Sequence, residues 1–353
     1  MMHWQHEPMR DFYLNNPRSL AFFSNYTLGL TDDPNCQNGI DRAASLIQSW
    51  VQHRNVKTFC VAHGGEFYLI DASKSGNAKT TLQDISALKK QGRSSGWLTT
   101  LPRSKWRTNP TADLFIALDL DTAPVTDQQF AFELAYGNLA NRRFDQPIQL
   151  IVFGNGRAGY NIDHTDIDAE PAIKLIDLPS CDSASLSEWP IQRLHFEEAN
   201  IEKAQAEAKR LLADRELVCV RTRAFQSDQE IQLAIQHAVQ KVFGQPKVTS
   251  EAVSMSHLPA GRYNTVYFAS PEDVQHHAER IKAAKAGEVF GPMPCDITTS
   301  SAGMPEHISL FGFTDTEPNI IGIAYLRKPN ETLFHIKADG RFKGFAEKIA
   351  HDL

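Results

Sequence analysis

His164 and Asp168 stand four residues apart in the stretch Ile148 to Pro171, IQLIVFGNGRAGYNIDHTDIDAEP. An imidazole titrates near neutrality, and a carboxylate beside it orients the ring and favours its charged form, so this spacing suits a general base. Asp166, two residues from the histidine, competes with Asp168 for the supporting role. A histidine hydrogen-bonded locally at a strand end shows the same spacing without any chemistry, and His164 is one of 13 histidines. The same stretch carries Gly154, Gly156 and Gly159 in the pattern GxGxxG behind a strand-like run. A dinucleotide site at that fingerprint needs a helix whose N-terminus receives the pyrophosphate. Ala158 to Asp163 is short and aromatic or β-branched instead, and Asn155-Gly156 is a preferred pair for a type I′ turn between antiparallel strands. The pattern predicts a hairpin whose returning strand delivers Asp163-His164.

Around this hairpin, strand-like and helix-like segments alternate. Asn38 to Arg54 carries Ile40, Ala43, Leu46, Ile47 and Val51 near helical spacing. Thr58 to Asp71 reads as two strands around His63-Gly64-Gly65, Leu114 to Leu120 as another strand, and Thr126 to Asn141 as a helix. Pro179 to Pro190, rich in Ser, Asp and Pro, reads as a linker between halves. Beyond it come a helix from about Glu197 to Asp214 and a strand at Leu217 to Arg221. Ser227 and Glu230 form a capping-box pattern that starts a helix ending near Gly244. Ser270-Pro271 begins another, with proline at the first helical position and Gly287 as its stop. Strands are expected around Ile297, Ile308 to Phe313, Ile320 to Leu326 and Thr332 to Ile336, then a closing helix from about Phe342. The fold class is mixed α/β in two domains, residues 1–185 and 186–353.

Composition narrows the partners. The chain has 353 residues, 42% apolar and 22% charged, enough for a sizeable core. Its 36 basic and 42 acidic residues give a net charge of −6, which offers no overall attraction to nucleic acid or anionic lipid. Cys36, Cys60, Cys181, Cys219 and Cys295 are odd in number and lack CxxC spacing, which suits a reducing compartment better than a disulfide framework or a zinc site. The opening MMHWQHEPMRDF has no apolar core of a signal peptide, and no run of about 18 apolar residues occurs. The expectation is a cytoplasmic protein with no membrane span and no metal.

Eight blocks follow one another along the chain: Tyr13-Leu14-Asn15-Asn16, Gly96 to Trp106, Asn141-Arg142 with Phe144-Asp145, the hairpin with His164, Ile231 to Gln236, Gly261-Arg262, Thr298-Thr299-Ser300 and Leu310-Phe311-Gly312. In this the chain resembles the choline/carnitine O-acyltransferase family. The resemblance implies a chloramphenicol acetyltransferase-like pair of α/β domains with mixed sheets and an active-site tunnel at their interface. It implies that His164 takes the proton of an acceptor hydroxyl that attacks a thioester carbonyl, with Asp168 holding the ring. Ser300, last of the hydroxyl triplet with Thr298 and Thr299, matches the family's oxyanion donor. The donor would be acyl-coenzyme A, a substrate rather than a resident cofactor.

Several family positions are changed here. The tyrosine, threonine and arginine with which the carnitine enzymes fix the acceptor's carboxylate align with Ser250, with Tyr263, and with a gap between Gly287 and Ile297. A carboxylate there loses charge-assisted hydrogen bonds worth about 1.5–3 kcal/mol each. The resemblance also disfavours choline, because Tyr263 would fill much of the same space. The expected acceptor is therefore another small-molecule hydroxyl or amine, in a site that includes Ser250, Tyr263 and Thr265. On the donor side, two family lysines align with Leu217 and Arg221, Arg223 lies close by, and the family's aspartate is retained as Asp228. The thinner basic patch leaves room for an acyl chain presented by an acyl carrier protein. Small Ser309, where short-chain members carry methionine, predicts an acyl pocket that admits chains longer than acetyl. A non-catalytic acyl-thioester binder, and amide-forming or hydrolytic use of the same fold, are the competing readings.

Overall fold

The computed structural model describes residues 6–18, 25–74, 76–88, 95–102, 112–181, 187–194, 200–258, 261–290, 293–314 and 319–353. Helix α1 (His6–Leu14) precedes strand β1 (Tyr26–Leu30). Then follow α2 (Gly39–Arg54), β2 (Thr58–His63), β3 (Glu66–Asp71), α3 (Ala78–Ala87), β4 (Leu114–Asp119) and α4 (Asp127–Tyr136). The hairpin is β5 (Ile148–Phe153) and β6 (Ala158–Ile162), followed by α5 (Ala169–Ile176) and β7 (Ile191–Leu194). The second half holds α6 (Ile201–Ala213), β8 (Arg215–Arg223), α7 (Asp228–Phe243), β9 (Thr249–Ser254), β10 (Tyr263–Phe268) and α8 (His277–Lys285). It closes with β11 (Ile297–Ser301), β12 (Ile308–Phe313), β13 (Ile321–Arg327), β14 (Glu331–Asp339) and α9 (Ala346–Asp352).

Local chemistry sets several of these ends. Asn38 caps α2 by accepting the Asp41 N–H, and Asn55 stops it in the left-handed region at φ 54°. Ser227 accepts the Glu230 N–H at the start of α7, while the Glu230 carboxylate reaches the N–H of Gln226, one residue beyond the capping-box partner. Two expected helices are shorter. Gly137 ends α4, so Thr126 to Asn141 splits into α4 and a short 3-10 turn. Pro271 does not open a helix: Asp273 ties back to the Ala269 N–H and to Arg280, which tightens that turn into 3-10 geometry before α8 begins at His277.

The strands form two mixed sheets. The first runs β12-β1-β6-β5-β4-β2-β3-β7, parallel at β5/β4 and β4/β2 and antiparallel elsewhere. The second runs β10-β9-β11-β13-β14-β8, parallel at β9/β11 and β11/β13. Two mixed sheets in an α/β chain are the architecture the resemblance implies. The division at 185/186 does not separate them, because β7 and β12 both lie beyond residue 185 and both complete the first sheet. β12 leaves the second half to pair with β1, Tyr26 opposite Phe313 and Leu28 opposite Phe311, which stitches the halves together. Gly312 allows the crossing, since a Cβ there would meet the buried His335 ring of β14 at 2.4 Å. Between the sheets opens a cavity of about 360 Å³.

Candidate active site

The hairpin aims the histidine. Its turn differs from the expected type I′: Gly156 lies at φ 82°, Asn155 has no positive φ, and Gly156 N–H bonds Phe153 C=O. That is the pattern of a longer loop closed by a left-handed glycine. The other two glycines serve close backbone approach, since a Cβ at Gly154 would meet Leu120 O at 2.2 Å and one at Gly159 would meet Leu28 O at 2.6 Å. Gly154, Gly156 and Gly159 thus belong to a hairpin and not to a pyrophosphate loop. Just past β6, the buried Asp163 carboxylate accepts both the N–H and the hydroxyl of Thr165, and this turn presents His164 to the cavity.

Both ring nitrogens of His164 are engaged. Nε2 lies 2.7 Å from Asp168 Oδ1, and Nδ1 lies 2.9 Å from the Tyr13 hydroxyl. Tyr263 stacks on the ring at 5.7 Å and 12°, and Tyr26 meets it edge-on at 5.3 Å. Asp166 is turned to the surface, where it pairs with Arg10 at 2.7 Å. Asp168 is the carboxylate beside the histidine, at the N-cap of α5. Arg262 binds both of its oxygens, at 3.1 and 2.8 Å, and also donates to the carbonyls of His164 and Thr165. Burial alone raises the Asp168 carboxyl, but hydrogen bonds and charge from His164 and Arg262 outweigh it and hold the group down to about 2.

The second sheet supplies the facing wall. Thr298, Thr299 and Ser300 of β11 border the cavity. Strand alternation puts Thr298 and Ser300 on one face and Thr299 on the other. The Thr299 hydroxyl is committed, accepting from Gln232 at 2.8 Å and donating to Ser250 O at 3.0 Å. Ser250 of β9 and Tyr263 and Thr265 of β10 also border the cavity, so the structure brings these positions to the space around His164.

The remaining positions are elsewhere. Arg221 and Arg223 lie on β8, the edge of the second sheet farthest from β10, and neither borders the cavity. Arg221 is ion-paired with Asp127 and Glu331, Arg223 stacks on Phe225 at 4.3 Å, and Asp228 sits 3.6 Å from Arg327 Nε. Ser309 does not border the cavity either. Its hydroxyl donates to Leu30 O at 2.7 Å, where the β1/β12 register shifts, while Phe311 and Phe313 on the same strand line the wall. Arg103 to Trp106, the end of one sequence block, lie outside the described residues. Among the described residues no group of three or more His, Cys, Asp or Glu is placed to hold a metal, and no helix is long and apolar enough to cross a membrane.

Arg262, Tyr13 and Glu170 were not singled out from the sequence. Glu170, at the cavity lip, accepts hydrogen bonds from Ser254 and Ser256 and so ties α5 to the end of β9. Tyr13 and Arg262 lay inside two of the sequence blocks, but their contacts join residues roughly a hundred or more positions apart and leave no periodic trace.

The sequence profile of the Choline/Carnitine o-acyltransferase family matches residues 52–286. The chain belongs to that family. Relatives include the mitochondrial carnitine O-acetyltransferase of Saccharomyces cerevisiae, 28% identical over 144 residues, covering 33% of this chain and 21% of that protein. The carnitine O-acetyltransferases of Columba livia and Homo sapiens are 24% and 22% identical over 270 and 272 residues, covering 60% and 61% of this chain and 43% and 44% of those proteins. The matches thus span less than half the length of these relatives. Similar solved structures include the epimerization domain from the third module of tyrocidine synthetase B, with TM-score 0.42 and 10% identity over 98% of this chain and 94% of that one. Another is polyketide synthase associated protein 5 from Mycobacterium tuberculosis, with TM-score 0.45 and 9% identity over 99% and 96%.

Proposed function

We propose that the protein transfers an acyl group from a thioester to a hydroxyl of a small-molecule acceptor other than carnitine, with His164 as general base. The observation that carries this reading is His164 at the cavity wall, 2.7 Å from the Asp168 carboxylate, which Arg262 binds through both oxygens. The base receives the acceptor's proton as the oxygen attacks the thioester carbonyl, and returns it to the leaving thiol. Positioned proton transfer of this kind contributes about 10²–10⁴-fold. Asp168 stabilises the imidazolium formed in between, and Ser300 donates to the oxyanion of the tetrahedral adduct.

A carnitine-like carboxylate finds little here. Among the described cavity-lining residues Arg262 is the one guanidinium, and it is committed to Asp168 and two carbonyls. On the donor side, Arg221 is already neutralised by Asp127 and Glu331, which supports a thioester carried by coenzyme A or by a carrier protein without a phosphate contact at that arginine. The cysteines among the described residues are unpaired, in accord with a cytoplasmic setting.

The test is incubation of the protein with acyl-coenzyme A and a mixture of alcohols and amines, followed by thiol titration and mass analysis of acylated products. Acylation of an alcohol other than carnitine is expected. Efficient acylation of carnitine would overturn the acceptor assignment, and absence of thiol release with coenzyme A and carrier-protein donors alike would favour a binding protein.

A further inference from the structure

We propose that Tyr263 and Tyr13 form a two-hydroxyl relay that carries the acceptor's proton to His164 Nδ1. This rests on the acyl-transfer reading above and assigns its proton path. The hydrogen bonds fix the direction. An ionised carboxylate only accepts, so the 2.7 Å contact with Asp168 places the imidazole proton on Nε2 and leaves a lone pair on Nδ1. The Tyr13 hydroxyl, 2.9 Å away, must then donate its single proton to Nδ1. Its oxygen is left to accept in the 3.3 Å contact with Tyr263, so Tyr263 is the donor there. With that proton committed, the Tyr263 oxygen can only accept from a further partner, and its ring borders the cavity. The donor chain runs one way, from Tyr263 at the cavity through Tyr13 and His164 to Asp168, and Arg262 donates to that carboxylate from the other side.

Burial, with the neighbouring Tyr263, holds the Tyr13 hydroxyl well above its ordinary titration range. It therefore stays protonated and passes protons on as a neutral group. In the forward step the acceptor O–H bond breaks as its oxygen bonds the acyl carbon. The proton moves to Tyr263, that of Tyr263 to Tyr13, and that of Tyr13 to Nδ1. When the adduct collapses, the C–S bond breaks with its electron pair on sulfur, and the proton returns along the same hydroxyls to the thiolate. Tyr263, a residue of the cavity wall, is thus also the outer end of the proton path.

Three measurements test this. In the full chain labelled with ¹⁵N-histidine, with the signals of His164 assigned by their loss in His164→Gln, the neutral ring is expected as the Nε2–H tautomer. Tyr13→Phe should then shift the Nδ1 resonance while leaving the Nε2 proton in place. A neutral ring protonated at Nδ1 would overturn the proposal, whether or not turnover is found. With an acylated acceptor in hand, Tyr13→Phe and Tyr263→Phe should each lower kcat on the order of 10²-fold with the thioester KM unchanged. A proton inventory of kcat should be bowed in wild type and straighter in Tyr263→Phe. Undiminished kcat in Tyr13→Phe would overturn the relay while leaving acyl transfer standing. Absence of turnover on every thioester would remove the acyl-transfer reading and leave the relay to be judged by the tautomer.

Discussion

Replacing Arg262 with methionine tests how the site is held together. The guanidinium is nearly buried and makes four hydrogen bonds, two to Asp168 and one each to the carbonyls of His164 and Thr165. Charge-assisted bonds are worth about 1.5–3 kcal/mol singly, but they are not additive, and part of the arginine's own desolvation is recovered when it is removed. The larger effect is on Asp168, whose side chain is 15% exposed and would keep only the His164 Nε2–H as a partner. Removing one member of such a pair costs about 3–5 kcal/mol, and that is the loss expected for Arg262→Met. Guanidinium unfolding followed by fluorescence and circular dichroism measures it, and Asp168→Asn combined with Arg262→Met closes the cycle. The double variant should recover at least about 1 kcal/mol of the summed losses, because the stranded carboxylate is gone. A single-variant loss under about 1 kcal/mol with additive losses in the double variant would show that Arg262 does not hold Asp168 in place.

Three further outcomes follow from the same geometry. Ser300→Ala should lower kcat by about 10²–10³-fold with little change in thioester KM, as loss of an oxyanion donor does; an unchanged kcat in a steady-state assay would remove Ser300 from that role. The Asp168 carboxyl is depressed in the folded state, so its contribution is complete above the unfolded value of about 3.9 and is lost as pH falls through about 2. It amounts to about 2.5 kcal/mol, and unfolding midpoints across this acid range should fall less steeply in Asp168→Asn than in wild type. Gly312→Ala would set a Cβ against the His335 ring, which is buried and held by that burial down to about 4, and should cost about 1–3 kcal/mol by denaturation, part of it restored by His335→Ala.

The parts legible in the sequence are those with local causes. The hairpin and α2 follow from short-range sequence pattern, and α7 from its Ser227 cap, although the turn within the hairpin is not of the expected type. The His164 to Asp168 pairing is likewise local, spanning one turn into α5. What was not legible depends on distant chain. The crossing of β12 into the first sheet is set by pairing with β1, nearly three hundred residues earlier, and a strand pattern alone does not name its partner. Tyr13 reaches His164 across 151 positions. Arg221 on β8 read as a donor contact because its ion-pair partners, Asp127 on α4 and Glu331 on β14, become adjacent to it only in the folded chain. Ser309 suggested an acyl pocket from its size, yet its hydroxyl is turned to the Leu30 carbonyl and the aromatic rings beyond it form the wall.

The most direct measurement of the central claim is thiol release by wild type and His164→Ala from the same acyl thioester with the same acceptor. General-base catalysis at His164 predicts a fall of about 10²–10⁴-fold in kcat for the variant, with the thioester still bound. Equal rates from a folded His164→Ala protein would show that the histidine at the end of the hairpin is not the base.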